Sequence, residues 1–567
     1  MQQKAGVSIL ISVSALHVLG WMKSRRAAAP GIKSLLSWMK QEMRIAIIGG
    51  GIAGLAAAFE FEKARAAGAP IDYALFEARD RLGGCLNSEI VGGAVLEYGP
   101  DSFLTEKCAA AELCRELGLG KDLVPSNDAA RKTYMAIGDR LIALPDGLMF
   151  LVPTKLLSTA LNPLFSLSTK ARMALEILHA PRRDGRGQAD ESVAALVKRH
   201  YGAEAVDRLA DPLLAGIYGG NAAQLSARAV LPRLVEMENK YGSLTRGMLA
   251  ERRRMRAGAR RSASADGHGP HVQPQQRALF TALRGGMQQL VEGLTARLDS
   301  ESMHLSSPAK SIERDPDGWR VDAGGFVGIY DALILAVPAW AAGELLSSVD
   351  GELAAELAAI PYSSSITVNL VYDEARLGRL PDGFGFLVPP SEGRAMLACT
   401  FVHRKFLGRT PPGKVVFRAF LGGTKNEALL GEPDAALIAV VRRELREIVG
   451  ERVFGHAGDP EHARVSRWRR AMPLYAVGHK QRMEAIAARL AVLPSLRLAG
   501  NAYDGIGVPD CIRLGRQAAR ELAAAAGKTP SVATGISLAE AQHAPEPPIA
   551  DAPARINAPM STPAPPP

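Results

Sequence analysis

Apolar positions along the 567-residue chain fall into blocks of two periods. Ile45 to Ile48 is a continuous apolar run, the pattern of a strand buried on both faces, and Tyr73 to Phe76 is another. Further strand-like stretches are Ile90 to Glu97, Met303 to Leu305, Trp319 to Val321 and Asp331 to Val337. Helical spacing predicts helices from Leu55, from Glu106 to Leu117, over Glu191 to Gly202 and over Asp211 to Asn221, the last two ending at a glycine, with the pattern continued from Leu225 to Gly242. Residues 363–423 change to period two with Pro and Gly between the runs, which predicts an antiparallel sheet. Residues 141–180 are strongly apolar but carry Pro145, Pro153 and Pro163, which exclude one straight transmembrane helix. A core helix pair and a membrane-dipping or substrate-channel lobe both fit that stretch.

The joins between these runs carry the chemistry. The first strand passes directly into Gly49-x-Gly51-x-x-Gly54 and a helix. In such a turn the first glycine makes the bend, the second admits a pyrophosphate to the backbone, and the third lets helix pack on strand. The second strand ends in Glu77, at the distance where a carboxylate bonds a ribose hydroxyl. The motif alone is weak; strand, helix and acid together specify a dinucleotide. A second glycine turn, Arg79-Asp80-Arg81-Leu82-Gly83-Gly84, is not needed by a nicotinamide dehydrogenase. Near the far end, Leu496 to Ile512 reads as a strand to Gly500, a glycine-rich loop and a helix starting near Pro509. Free N–H groups and the positive helix end there suit an electron-rich ligand edge.

GGGIAGL (49–55) followed by EARDRLGG (77–84) resembles the FAD-binding start of amine oxidases, phytoene desaturases and protoporphyrinogen oxidases. The Gly285-Gly286-Met287 turn resembles a further hallmark of that superfamily, and GPDSFL (99–104), DPLLAGIYGGN (211–221) and GFGFLVP (383–389) narrow the resemblance to bacterial protoporphyrinogen and coproporphyrinogen III oxidases. This implies an α/β fold: a discontinuous Rossmann-like FAD domain (43–104, 278–340, 481–527), an α+β substrate domain with an antiparallel sheet (341–480) and a helical lobe (105–250). It also implies FAD held by Gly49, Gly51, Gly54, Glu77, Arg81, Gly83, Gly84, Gly99, Pro100, Asp101, Gly500, Asn501, Gly507, Val508 and Pro509. The implied reaction is six-electron oxidation of a porphyrinogen with dioxygen as acceptor, giving hydrogen peroxide. The implied partners are a tetrapyrrole, a peripheral membrane contact and other haem-pathway enzymes. Lys107 is the candidate cation for a substrate propionate, weighed against an ordinary solvated helix lysine. Three departures stand out: Cys85 replaces the usual basic residue, Ala309 a valine, and Asn501 an aspartate. An amine oxidase, a carotenoid desaturase and a non-catalytic FAD-binding protein remain open alternatives.

Composition removes several classes. The formal charge is +10, but it is concentrated before Met43 and in the arginine run 252–261, leaving the body near neutral, so no nucleic-acid surface is expected. The five cysteines (85, 108, 114, 399 and 511) form no Cys-x-x-Cys pair, so neither a zinc site nor a dithiol is expected, and their odd, scattered set fits a reducing, cytoplasmic compartment. No metal site and no Ser/His/Asp constellation is expected. His200, His403 and His479 are weighed as proton carriers and left out, since a lone histidine is more often structural. Met43 is read as a natural start, with residues 1–42 as an extension or a weak anchor that would leave the body cytoplasmic. Residues 251–277 and 528–567 read as a basic and an Ala/Pro-rich disordered segment.

Overall fold

In the computed structural model of the chain, residues 42–149, 151–180, 189–265 and 278–526 are described. The expectations for the extension before Glu42 and for the tail from Lys528 lie outside them. Five parallel strands form the centre: β1 (Met43–Ile48), β2 (Ile71–Phe76), β3 (Met303–His304), β4 (Ala332–Leu335) and β5 (Leu496–Leu498), in the order β3-β2-β1-β4-β5. Ile45 lies beside both Tyr73 and Ala332. Three distant stretches of chain thus share one sheet, as a discontinuous α/β fold requires. Its apolar residues are buried on both faces, the reason they read as continuous runs.

Helix α1 (Ile52–Ala66) and helix α2 (Val508–Ala526) cover one face. They approach closely because residue 515 is glycine: a Cβ there would lie 2.0 Å from the Ala53 carbonyl oxygen. Arg516 and Arg520 of α2 pair with Glu60 of α1. The other face carries a three-stranded sheet (309–330) and helices Ala339–Leu346 and Gly351–Ala358.

Some expected boundaries change. Leu113 and Cys114 pack in the dinucleotide core, and Leu123–Pro125 pairs with Phe280–Leu283, so residues 105–125 belong with the cofactor domain and not with the helical lobe. The stretch read as one strand from Ile90 to Glu97 is a hairpin, Ser88–Val91 and Ala94–Glu97, turned at Gly92-Gly93, both at positive φ. The second domain holds a seven-stranded sheet in which Thr133–Ile137 and Arg140–Ala143 join strands between residues 362 and 473. That sheet is antiparallel except where Thr133–Ile137 runs parallel to Gly385–Leu387. Both strands 133–143 were assigned to the helical lobe by sequence order; only spatial pairing moves them.

The helical lobe ends in a helix, Leu244–Ala265. The expected disordered basic segment is therefore helical as far as Ala265, because its Arg, Ala, Met and Glu are strong helix formers despite the missing apolar period; residues 266–277 lie outside the described residues. Helices Leu156–Leu161 and Leu167–Leu175 form an amphipathic pair: Leu164, Phe165 and Met173 are buried, whereas Leu157, Leu161, Leu167, Leu175 and Leu178 are exposed. No described helix is long and apolar enough to cross a membrane.

The lobe is braced by buried charge. His200 bonds Glu176 through Nδ1 at 2.8 Å and Glu238 through Nε2 at 3.1 Å, and Arg199 grips Glu238 and Glu191. Glu176 also accepts from Ser243 and the Leu244 and Thr245 amides, capping the long helix. Glu176, His179 and His200 present ligand-type atoms within 4.8 Å of one another, yet the Glu176 oxygens and both His200 nitrogens already have partners. Burial opposes charge on His200, but its two carboxylates outweigh this and its pKa is raised. Burial likewise opposes charge on Glu176, and His200, Thr245 and Ser243 reverse it to about 2. The His200 contribution should be complete below pH ~6.5, its unfolded value, and fade as pH rises through the raised folded value. The Glu176 contribution should be complete above ~4.3 and fade towards pH 2. Thermal melts against pH should show loss of stability on the alkaline side, flattened in His200→Gln; an unchanged alkaline limb in that variant would refute the assignment.

Candidate active site: a glycine-floored cleft

Two glycine turns lie against each other at the carboxyl ends of β1 and β2. Gly51 and Gly83 form a parallel bridge, and the Gly83 amide donates to the Gly50 carbonyl at 2.8 Å. Gly49, at φ +109, cannot carry a side chain: its Cβ would lie 2.5 Å from the Ala336 carbonyl oxygen. A Cβ on Gly54 would lie 1.9 Å from the Gly49 carbonyl oxygen. Gly51 differs, since nothing in the protein lies within 4 Å of its Cβ position. Space is kept there that the fold does not use. Glu77 is buried behind the turns, with Oε2 accepting from the Gly50 amide at 2.7 Å and Oε1 from the Arg79 amide at 2.9 Å. Its second lone pairs remain for a ligand.

The remaining expected contacts divide. Arg81 donates to the carbonyls of Leu82, Gly84 and Leu86, so it braces the second turn. Gly99 is small because a Cβ there would sit 1.8 Å from the Cys85 carbonyl oxygen. After Pro100, the Asp101 carboxylate enters a buried cluster: Lys405 at 2.9 Å and Arg418 at 3.5 Å. Burial would raise its pKa; those two cations hold it well below the carboxylate range. Asp101 thus clasps its own segment to the Lys405 and Arg418 segments. Beside it, Arg409 pairs with Glu97 and donates to the Asp101 carbonyl at 3.1 Å.

The closing loop supplies the opposite wall. Gly500 is at φ +137, and the Asn501 side chain donates through Nδ2 to the Ala471 carbonyl at 3.1 Å. The Tyr475 hydroxyl donates to the Asn501 carbonyl at 2.9 Å and accepts from the Gly505 amide at 2.9 Å, stapling the loop at both ends. Tyr475 stacks on His479 with centroids 4.0 Å apart and faces Tyr218 at 6.0 Å. Gly507, Val508 and Pro509 open α2, whose first turn is closed by Asp510 accepting from the Gly507 amide at 3.1 Å. Lys107 reaches the same carboxylate, with Nζ 2.7 and 2.9 Å from its oxygens.

Cys85 lies on the floor: it is exposed to solvent, yet surrounding protein pushes its thiol pKa up. Of the histidines, His200 belongs to the lobe brace. Burial between Phe401 and Phe417 brings His403 down to about 4, and His479 underlies Tyr475. Tyr218, Tyr475, Asp510 and the Lys405–Arg409–Arg418 group carried no sequence signal, because each gains its meaning from partners far along the chain.

A strand–glycine turn–helix cradle, a second glycine turn and a helix N-terminus facing both define a dinucleotide flavoprotein. The family description "Flavin containing amine oxidoreductase" matches residues 52–523, and the chain belongs to that family; it is an FAD-dependent oxidoreductase. The chain is 31% identical to coproporphyrinogen III oxidase of Bacillus subtilis over 84% of this chain and 96% of that protein. It is also 31% identical to human protoporphyrinogen oxidase over 84% of this chain and 97% of that one. The crystal structure of an Exiguobacterium sp. 255-15 protein assigned as a protoporphyrinogen oxidase superposes with a TM-score of 0.72 at 29% identity, covering 85% of this chain and 99% of that one. Cyclohexylamine oxidase of Brevibacterium oxydans, at 18% identity and a TM-score of 0.59, shares the fold.

Proposed function

We propose that the protein oxidises a porphyrinogen of haem biosynthesis, coproporphyrinogen III or protoporphyrinogen IX, to the porphyrin, with dioxygen as final acceptor and hydrogen peroxide as product. The observation that carries this is the glycine-floored cleft of a chain that aligns almost end to end with oxidases of both substrates. FAD, when bound, supplies the electron-accepting chemistry. The residues proposed to hold it are Gly49, Gly51 and Gly54 with the α1 amides for the pyrophosphate, Glu77 for the ribose, and Gly83, Gly84, Gly500, Asn501 and the 507–509 amides along the ring system and its chain. Tyr475 fixes the closing loop. Aromatisation of the macrocycle provides the driving force, so the site needs no strong side-chain base. Flavin-loaded protein under air should convert one or both porphyrinogens to fluorescent porphyrin with peroxide released; loaded protein that converts neither is no such oxidase. The faster substrate identifies the physiological one.

The exposed leucines of 157–178, flanked by Lys155, Lys170 and Arg172, support a peripheral contact with an anionic membrane at its cytoplasmic face. Co-sedimentation with anionic vesicles should fall several-fold in the Leu157→Ser, Leu161→Ser, Leu167→Ser triple variant. Equal pelleting of the two proteins would remove the contact.

A further inference from the structure

We propose that Lys107 acts on the flavin through Asp510, as a positioning residue that sets the charge at the N-terminus of α2, and that it does not hold substrate. This rests on the FAD reading above.

The pair joins positions 403 residues apart, and both carboxylate oxygens of Asp510 lie within hydrogen-bond distance of the one ammonium. Asp510 is almost buried and Lys107 is partly exposed, with side-chain exposures of 10% and 42%. The surrounding loop is moulded on the carboxylate. Gly507 donates to it, and residue 505 must be glycine because a Cβ there would lie 2.3 Å from Asp510 Cγ. The charge of Asp510 reaches into the cleft: burial first, and Asp510 after it, hold the Tyr218 phenol up at about 12.

The helix end contributes roughly +0.5 of an elementary charge. Asp510 alone would overturn that sign, and Lys107 restores it. A flavin pyrimidine edge facing this end gains negative charge on reduction, so the local sign bears on the balance between reduced and oxidised cofactor. A lysine engaged by both oxygens of a nearly buried carboxylate has two of its three N–H groups committed, a poor start for capturing a propionate.

The test is a dye-coupled redox titration of flavin-loaded wild type, Lys107→Met, Lys107→Arg and Asp510→Asn, with KM for both porphyrinogens measured on the same preparations. Asn can keep the Gly507 bond, so Asp510→Asn removes charge and leaves the cap. At fixed potential, the reduced-to-oxidised ratio should fall about threefold in Lys107→Met and rise about threefold in Asp510→Asn, the scale of one charge at a helix end. Lys107→Arg should stay near wild type, and KM should move less than twofold in Lys107→Met. A wild-type potential with KM raised several-fold in Lys107→Met would overturn the proposal and return Lys107 to the substrate. Wild type that takes up no FAD would overturn both this and the FAD reading. Wild type that holds FAD but leaves porphyrinogens untouched would overturn only the substrate reading, with the potentials still deciding the role of Lys107.

Discussion

A Gly51→Val protein is expected to fold and to bind FAD far more weakly than wild type. Gly51 is at φ −71 and ψ 177, extended backbone open to any residue, and nothing in the protein lies within 4 Å of the added Cβ. The cost to the apoprotein is the poorer helix start, about 1 kcal/mol or less. In the bound state the valine occupies the space assigned to the pyrophosphate, and FAD affinity should fall at least ~100-fold, or about 2.7 kcal/mol. Flavin-fluorescence titration alongside apoprotein melts reads both quantities. FAD binding within a few-fold of wild type would remove the cradle from this turn. Gly54→Ala is the contrast: its methyl meets the Gly49 carbonyl oxygen at 1.9 Å, so it should damage the apoprotein itself.

Arg409→Met is expected to cost about 3–5 kcal/mol of stability, the range for leaving one partner of a buried pair alone. Arg409 is among the largest fully buried side chains, and its partner Glu97 is 3% exposed. Glu97 also accepts from the Met287 amide at 2.8 Å and from Ser88 Oγ at 2.6 Å. This one pair therefore ties the hairpin 88–97, the glycine turn before helix Gln288–Thr295 and the segment after Phe401 of the seven-stranded sheet. The double variant Glu97→Gln, Arg409→Met should recover much of the loss, because no charge is then buried alone and Gln still accepts from Met287. Urea unfolding followed by circular dichroism gives the comparison. A single variant within ~1 kcal/mol of wild type would show that the pair is not what joins the domains.

The local parts of the cleft were readable in advance because their cause is local. Gly54 is required by the Gly49 carbonyl five residues before it, Gly49 and Gly83 by a backbone at positive φ, and Glu77 follows its strand at a fixed spacing. Arg81 and Asp101 also have protein partners, Leu86 for the first and Lys405 and Arg418 for the second, which no spacing rule reveals. The basic run 252–261 shows the opposite error: it lacks an apolar period, yet high intrinsic propensity continues the helix to Ala265.

By itself the sequence determined the class of fold, the flavin cradle and the family, because strand–turn–helix periodicity and glycine geometry are properties of neighbouring residues. The tertiary structure alone decided which charges meet. Lys107 and Asp510, or Glu97 and Arg409, are brought together by folding across 403 and 312 positions, and the sign of the field in the cleft depends on those meetings.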